Sequence, residues 1–344
     1  MIYRRFLNAL RPALFLLVAT QASADLVVLQ YHHVSDSTPS STSTSRSLFE
    51  AQLRMISDMA LEVAPLETAT REALAGEATD EQLVAITFDD AYESVYANAA
   101  SLLESFGFPY TVFVNTEAVG RHGYMTWEQL SEIGAKQGVT LANHSADHGH
   151  LARKPGEAAA GWESRVQSSL DDAQAALKQR LGTNVPMVAY PYGEFDGALL
   201  EKISDRRWYG YGQQSGAIGK DSDPRRLPRF PMANAYGQLD SLKDKLRSKA
   251  FPVDTRQFPD GIIQRNPPKL TFTLPESMPP SRLTCFASGM GAIDFEVTDK
   301  GMIEVMAPKS FSSRRFRYNC TYPANSGRFY WMSQQWLDLA QPED

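Results

Sequence analysis

Cysteine is nearly missing: the 344 residues contain only Cys285 and Cys320, so at most one disulfide can form. A basic excess is missing too. Lysine and arginine total 34 against 40 aspartates and glutamates, a net charge of −6. The clustered basic face that a nucleic-acid partner calls for is therefore not expected. After the N-terminus, no stretch is long and apolar enough to cross a membrane as a helix. The chain has no G-x-S-x-G, which disfavours a serine esterase, and no internal repeat. Histidine stops early: of six, none follows His150.

What is present begins with an export pattern. Tyr3-Arg4-Arg5 and Arg11 supply positive charge, Ala13 to Ala19 an apolar run too short to span a bilayer, and Ala22-Ser23-Ala24 a small-residue cleavage site. Residues 1–24 read as a signal peptide, and the protein as exported, periplasmic or extracellular, with no integral membrane segment after cleavage. No cysteine follows the apolar run, so no lipoprotein anchor is expected there. Export favours a Cys285–Cys320 bridge, worth roughly 4 kcal/mol on the chain-entropy account.

Apolar residues make up 43% of the chain, enough for a large core. From residue 25 to 249, short apolar runs alternate with amphipathic stretches. Leu26–Leu29, Leu61–Leu66, Leu83–Phe88, Tyr110–Val114, Val139–Ala142, Met187–Tyr190 and Trp208–Gly212 read as strands. Helices are expected after Ser47 (with Glu50 as a capping box), over Thr70–Leu74, from Tyr92 to Phe106, after Thr126, from Trp162 to Leu181, and over Ala198–Arg206. Such alternation argues a parallel α/β fold. Polar residues gather just after the strands, which in these folds is the catalytic face. From 250 to 344 the pattern changes to proline-punctuated, closely spaced short strands, among them Lys269–Leu274, Ile293–Val297 and Met302–Met306. A small β-sandwich is expected. Phe329, Tyr330, Trp331 and Trp336 offer either faces for sugar rings or core filling, with core filling preferred.

Three features carry chemistry. Thr87-Phe88-Asp89-Asp90 ends a strand with two carboxylates on opposite sides of the chain; alone, such a pair is usually a solvated turn. His144-Ser145-Ala146-Asp147-His148 sets two imidazoles at i and i+4, able to face one ion if the segment makes a helical turn. Ser145 stands where a metalloprotease would carry its glutamate, so any base must come from elsewhere. Two imidazoles and one carboxylate leave positions open for water and substrate. Ala189-Tyr190-Pro191-Tyr192-Gly193 ends a strand with a backbone fixed by Pro191, and a rigid N–H there suits a developing oxyanion. His122 and His150 read as loop histidines.

Together, T-F-D-D, H-S-x-x-H and their spacing resemble the polysaccharide deacetylase family, carbohydrate esterase family 4, over about residues 26–231. The resemblance implies a distorted (β/α)7 barrel before the small β-rich domain. It implies Asp89 as general base, Asp90, His144 and His148 as metal ligands, and the Tyr192 N–H as oxyanion donor. The implied cofactor is a divalent metal, zinc first, with cobalt or nickel as alternatives. Where the family carries an arginine before the Pro-Tyr pair, this chain has Ala189; Arg229 is the candidate substitute, against a surface ion-pairing role. The late-barrel catalytic histidine of many members is missing. Tyr31-His32-His33 instead looks like members acting on poly-N-acetylglucosamine, in which a first-strand histidine is the acid; His32 matches that position, with His33 on the other face. The expected partner is an N-acetylated polysaccharide or oligosaccharide, and the expected reaction is metal-dependent N-deacetylation releasing acetate. Removal of O-acetyl groups and an inactive carbohydrate-binding protein are the alternatives.

Overall fold

The structure, a computed structural model, describes residues 25–76 and 82–343. The signal peptide expected at residues 1–24 lies outside the described residues. Seven parallel strands form the main path of the N-terminal sheet: β1 (Leu26–Tyr31), β2 (Leu83–Phe88), β3 (Tyr110–Val114), β4 (Val139–Asn143), β5 (Met187–Ala189), β6 (Tyr209–Tyr211) and β7 (Phe230–Pro231). The strand expected over Leu61–Leu66 shortens to Glu62–Val63, which pairs with β2 off that path, because Leu66 already begins a helix. In space β7 lies beside β1, and the order then follows the sequence to β6. The ring closes irregularly, because Tyr211 makes an isolated parallel bridge to Leu227, just before β7. This is a distorted seven-stranded (β/α) barrel.

The strands are apolar on both sides because both sides are covered. All six residues of β1 and of β2 are buried. Along β1, Leu26 and Val28 join Ala85, Phe113, Ala142, Met187 and Tyr211 in one cluster. Val27, Leu29 and Tyr31 join Phe49, Leu53 and Ile56 of helix α1 (Arg46–Asp58) in another. Each such aliphatic side chain contributes about 2 kcal/mol on burial.

Local chemistry moves several expected boundaries. Helix α1 is capped by Ser45, whose Oγ accepts from the Leu48 N–H, and not by Ser47, because Ser45 keeps the extended conformation of the preceding Ser43–Thr44 bridge. The helix expected over Thr70–Leu74 runs from Leu66 to Ala75. The one expected from Tyr92 begins with a π-helical turn over Val95–Ala99. Before it, Asp90 and Ala91 hold left-handed φ values of 73° and 56°, and Tyr92 is taken up in a bridge to Tyr124. The Thr126–Gln129 capping box forms.

The C-terminal region folds as two sheets. One combines Ser248–Ala250, Phe329–Leu337, Arg315–Pro323, Thr284–Ala287 and Gly291–Ile293; the other combines Lys269–Thr273, Met302–Met306 and Phe295–Val297. The single strand expected over Ile293–Val297 is broken at Asp294, where the chain passes from one sheet to the other. Between the sheets lie Phe272, Ile303, Val305, Phe316, Tyr318, Met332 and Trp336. Trp336 thus fills the core, and Trp331 packs edge-on against Phe230 of β7 with ring centroids 5.2 Å apart. Cys285 and Cys320 form a disulfide between directly paired residues of neighbouring strands. Replacing both with alanine should cost roughly 2–4 kcal/mol of C-terminal stability, read as a lower urea midpoint at unchanged slope; an unmoved midpoint would show that strand pairing alone holds this sheet.

Candidate active site

The polar residues at the C-terminal ends of the barrel strands meet in one cleft. It has a volume of about 470 Å³ and is lined by Gln30, His32, Asp90, His148 and Tyr192, among others. Strand β2 ends in the paired carboxylates, and Asp90, leaving the strand at positive φ, turns toward the cleft while Asp89 stays in the barrel. Asp89 is held on both oxygens by Arg229: Nη1 donates to Oδ1 at 2.7 Å and Nη2 to Oδ2 at 2.8 Å. Gln30 Nε2 adds a third bond to Oδ2 at 2.7 Å. Neither Asp89 nor Arg229 has any exposed surface. Arg229 is fixed in turn by the Gly212 carbonyl at 2.9 Å and lies over the Phe113 ring.

A buried carboxylate resists ionisation, but here the Arg229 guanidinium and the neighbouring histidines outweigh burial and hold Asp89 at about 2. A carboxylate offers about four lone-pair sites. Three are taken, and the remaining one belongs to Oδ1.

Asp90, His144 and His148 form a group whose ligand atoms lie within 4.8 Å of one another. Asp90 Oδ1 is 3.4 Å from His144 Nε2 and 3.0 Å from His148 Nε2. Yet this buried oxygen accepts no aligned hydrogen bond. His144 Nδ1 donates to the Ala189 carbonyl at 2.8 Å, which fixes the tautomer and leaves a lone pair on Nε2. Lone pairs converging with no hydrogen between them fit a metal cation, and the mixed imidazole–carboxylate set suits zinc and similar ions. The two histidines do not come together through a helical turn. The 144–148 segment is a loop with Ser145 and His148 at positive φ, stitched by Ser145 N–H to Asn143 Oδ1 and His148 N–H to Ser145 Oγ. Asparagine at the strand end and serine after it supply the local bonds that make this conformation possible.

His32 lines the cleft near Asp89 and Asp90. Burial lowers its pKa, against the pull of the two carboxylates. His33 points elsewhere, its ring stacked on Tyr92 at 3.6 Å, and burial drives it down to about 4. Tyr192 sits at φ 58° in a turn beginning at Pro191, its ring 4.7 Å from that of His148.

His150 is not a free loop residue. It is buried, its ring is stacked on Tyr192 at 4.1 Å and 9°, and its Nδ1 donates to Glu194 Oε2 at 2.8 Å. Glu194, fully buried, also receives Arg314 Nε at 2.8 Å and Arg315 Nη1 at 2.8 Å from the C-terminal sheets. Burial pushes the Glu194 pKa up, but His150 and the two arginines overcome it and bring it to about 2. The H-x-H spacing of His148 and His150 is the one sequence hint of this buttress. Gln30, Glu194, Arg314 and Arg315 carry no motif.

Residues 76–207 match the family described as polysaccharide deacetylase. A Bacillus subtilis (strain 168) protein, YxkH, described only at the level of a polysaccharide deacetylase, is 25% identical over 66% of this chain and 80% of its own. The poly-beta-1,6-N-acetyl-D-glucosamine N-deacetylase of Escherichia coli (strain K12) is 24% identical over 70% of this chain; the match spans 42% of that longer protein. In fold, IcaB from Ammonifex degensii superposes with a TM-score of 0.56 at 24% identity, covering 65% of this chain and 97% of that one.

Two outcomes follow from the buried charges. Arg229→Ala strands Asp89 without its partner and should cost about 3–5 kcal/mol, measured by chemical denaturation; a loss under about 1 kcal/mol would mean that water or Gln30 replaces it. Glu194 is held below its ordinary value of 4.5, so its stabilisation is complete above about pH 4.5 and drains away as pH falls toward 2. Glu194→Gln should therefore flatten the acid limb of the stability curve, by about 3 kcal/mol at most. An unchanged acid limb in melting temperatures between pH 6 and 3 would contradict this.

Proposed function

We propose that this chain, which carries a polysaccharide deacetylase domain, hydrolytically removes N-acetyl groups from an N-acetylglucosamine-containing polysaccharide and releases acetate. The observation carrying this is the single cleft in which a cation-binding trio, an arginine-locked aspartate and a histidine from the first strand come together. The Escherichia coli relative is named for N-deacetylation of poly-beta-1,6-N-acetyl-D-glucosamine, which supports this substrate class.

Asp90, His144 and His148 would hold a divalent cation, zinc by preference. Bound there, the cation supplies an acidified water and a polarised carbonyl. The chain's own groups do the rest. Asp89, held at about 2 against burial by Arg229 and the neighbouring histidines, is ionised near neutral pH, and its remaining Oδ1 lone pair takes the proton of the attacking water. Arg229 and Gln30 fix the carboxylate so that no reorientation is needed when the proton arrives. The Tyr192 backbone N–H donates to the oxyanion, and the His150–Glu194 buttress keeps the turn that presents it. His32 gives a proton to the leaving amine nitrogen, without which an amine anion would have to depart. Burial lowers the His32 pKa, so the imidazole releases its proton readily to the amine, and the proton that Asp89 took from the water restores it. The second unit, residues 250–344, walls the cleft rather than acting as a separate binding module. An export route agrees with the disulfide it contains.

Acetate release from N-acetylglucosamine oligomers should vanish with chelator and return with zinc. Asp89→Asn should lower kcat by about 10²–10⁴, and His32→Ala by about 10²–10³, while His33→Ala stays within about threefold. Activity that survives chelation would remove the metal from the reading. Release only from O-acetylated glycans would reassign the substrate. Loss with His33→Ala but not His32→Ala would reassign the acid.

A further inference from the structure

The strand Arg315–Pro323 presents two arginines to the cleft, two residues apart and so on one face, with Phe316 turned into the core between them. Their partners differ. Arg315 pairs with Glu194 at 2.8 Å. Arg317 gives Nη1 to the Gln213 carbonyl at 2.9 Å and, among the described residues, has no carboxylate within ion-pair distance and no further side-chain bond. A half-buried guanidinium without a counter-charge is costly. Among the described residues, Asp90 is the one carboxylate lining the cleft, and it belongs to the metal trio.

Two further features surround Arg317. Tyr236, also in the cleft wall, is 55% exposed, the most exposed large apolar side chain among the described residues. An accessible aromatic face in a polar cleft suits the apolar face of a sugar ring. Behind the wall lies Lys245, whose ammonium bonds to the Tyr236 carbonyl. Burial, and then Arg317, hold Lys245 down at about 8. Burial likewise lowers Arg317, while the Tyr236 hydroxyl opposes the shift. Both cations thus sit where an anion would relieve them.

We propose that Tyr236, Gln213, Ser288 and Arg317 form a subsite for a sugar bearing a ring carboxylate, a uronic acid residue adjoining the N-acetylated one. The sugar stacks on Tyr236, and the carboxylate meets the N–H groups that Arg317 does not use on Gln213. A guanidinium offers five donors in a planar fork matched to a carboxylate. This rests on the deacetylase reading and narrows it to a polymer of mixed, partly acidic composition. All four residues lie after the stretch matched by the family, residues 76–207.

The test is equilibrium binding, by calorimetry, of two N-acetylglucosamine-containing tetrasaccharides that differ only in glucuronic acid against glucose, to the chelator-treated full-length chain. The glucuronate form should bind about tenfold more tightly at low salt, and the gap should shrink in 0.5 M sodium chloride. Arg317→Gln should erase the gap and leave the neutral sugar within about twofold, Arg317→Lys should keep part of it, and Tyr236→Ala should weaken both sugars alike. Equal binding of the two sugars by the unaltered chain would overturn the proposal. So would an Arg317→Gln variant, folded by its melting profile, that weakens both equally. Failure of the deacetylase reading shows separately, as absence of acetate release from neutral oligomers by metal-loaded protein.

Discussion

The bidentate pair between Arg229 and Asp89 organises the site. Both members are fully buried, so each is tolerable only because of the other. Arg229 lies between the Leu227 bridge at the barrel seam and β7, and Asp89 follows the strand from which Asp90 turns out to the cation trio. One interaction therefore fixes where the barrel seam closes, keeps a carboxylate ionised and sets the direction of the next residue.

Around that pair, the supporting contacts come from two separate cores. From the barrel, Gln30 and the Ala189 carbonyl set the orientation of Asp89 and the tautomer of His144. From the C-terminal sheets, Arg314 and Arg315 reach Glu194, which holds His150 against Tyr192. Contacts such as Arg226 to Gln334 and Trp331 on Phe230 tie the two units across a broad face. The cleft lies where they meet, a common place for a ligand site.

The barrel strands were legible because continuous apolar runs with turn signals have few other uses. The three motifs were legible because each marks a strand end. Less could be read where conformation depends on partners far along the chain. That His144 and His148 converge is evident from their spacing, yet they do so through two left-handed residues, because Asn143 and Ser145 offer bonds that a helix would not use. The shift from Ser47 to Ser45 as cap depends on a short bridge with no sequence signal. Glu194 resembles a surface glutamate, since its three partners lie 44, 120 and 121 residues away. Likewise, pairing Arg229 with Asp89 rested on a likeness to relatives, because no local pattern links positions 140 residues apart.

Those separations bear on when the centre comes into being. A ribosome delivers Asp89 long before Arg229, and Glu194 long before Arg314 and Arg315. Until residue 229 emerges, the carboxylate has no counter-charge, and until residue 315 emerges the turn at Tyr192 lacks its brace. The centre therefore rests on pairings of long sequence separation, whose closure costs more chain entropy than that of local contacts. A chain cut before residue 229 lacks the counter-charge of Asp89, and one cut before residue 314 lacks the brace on the Tyr192 turn.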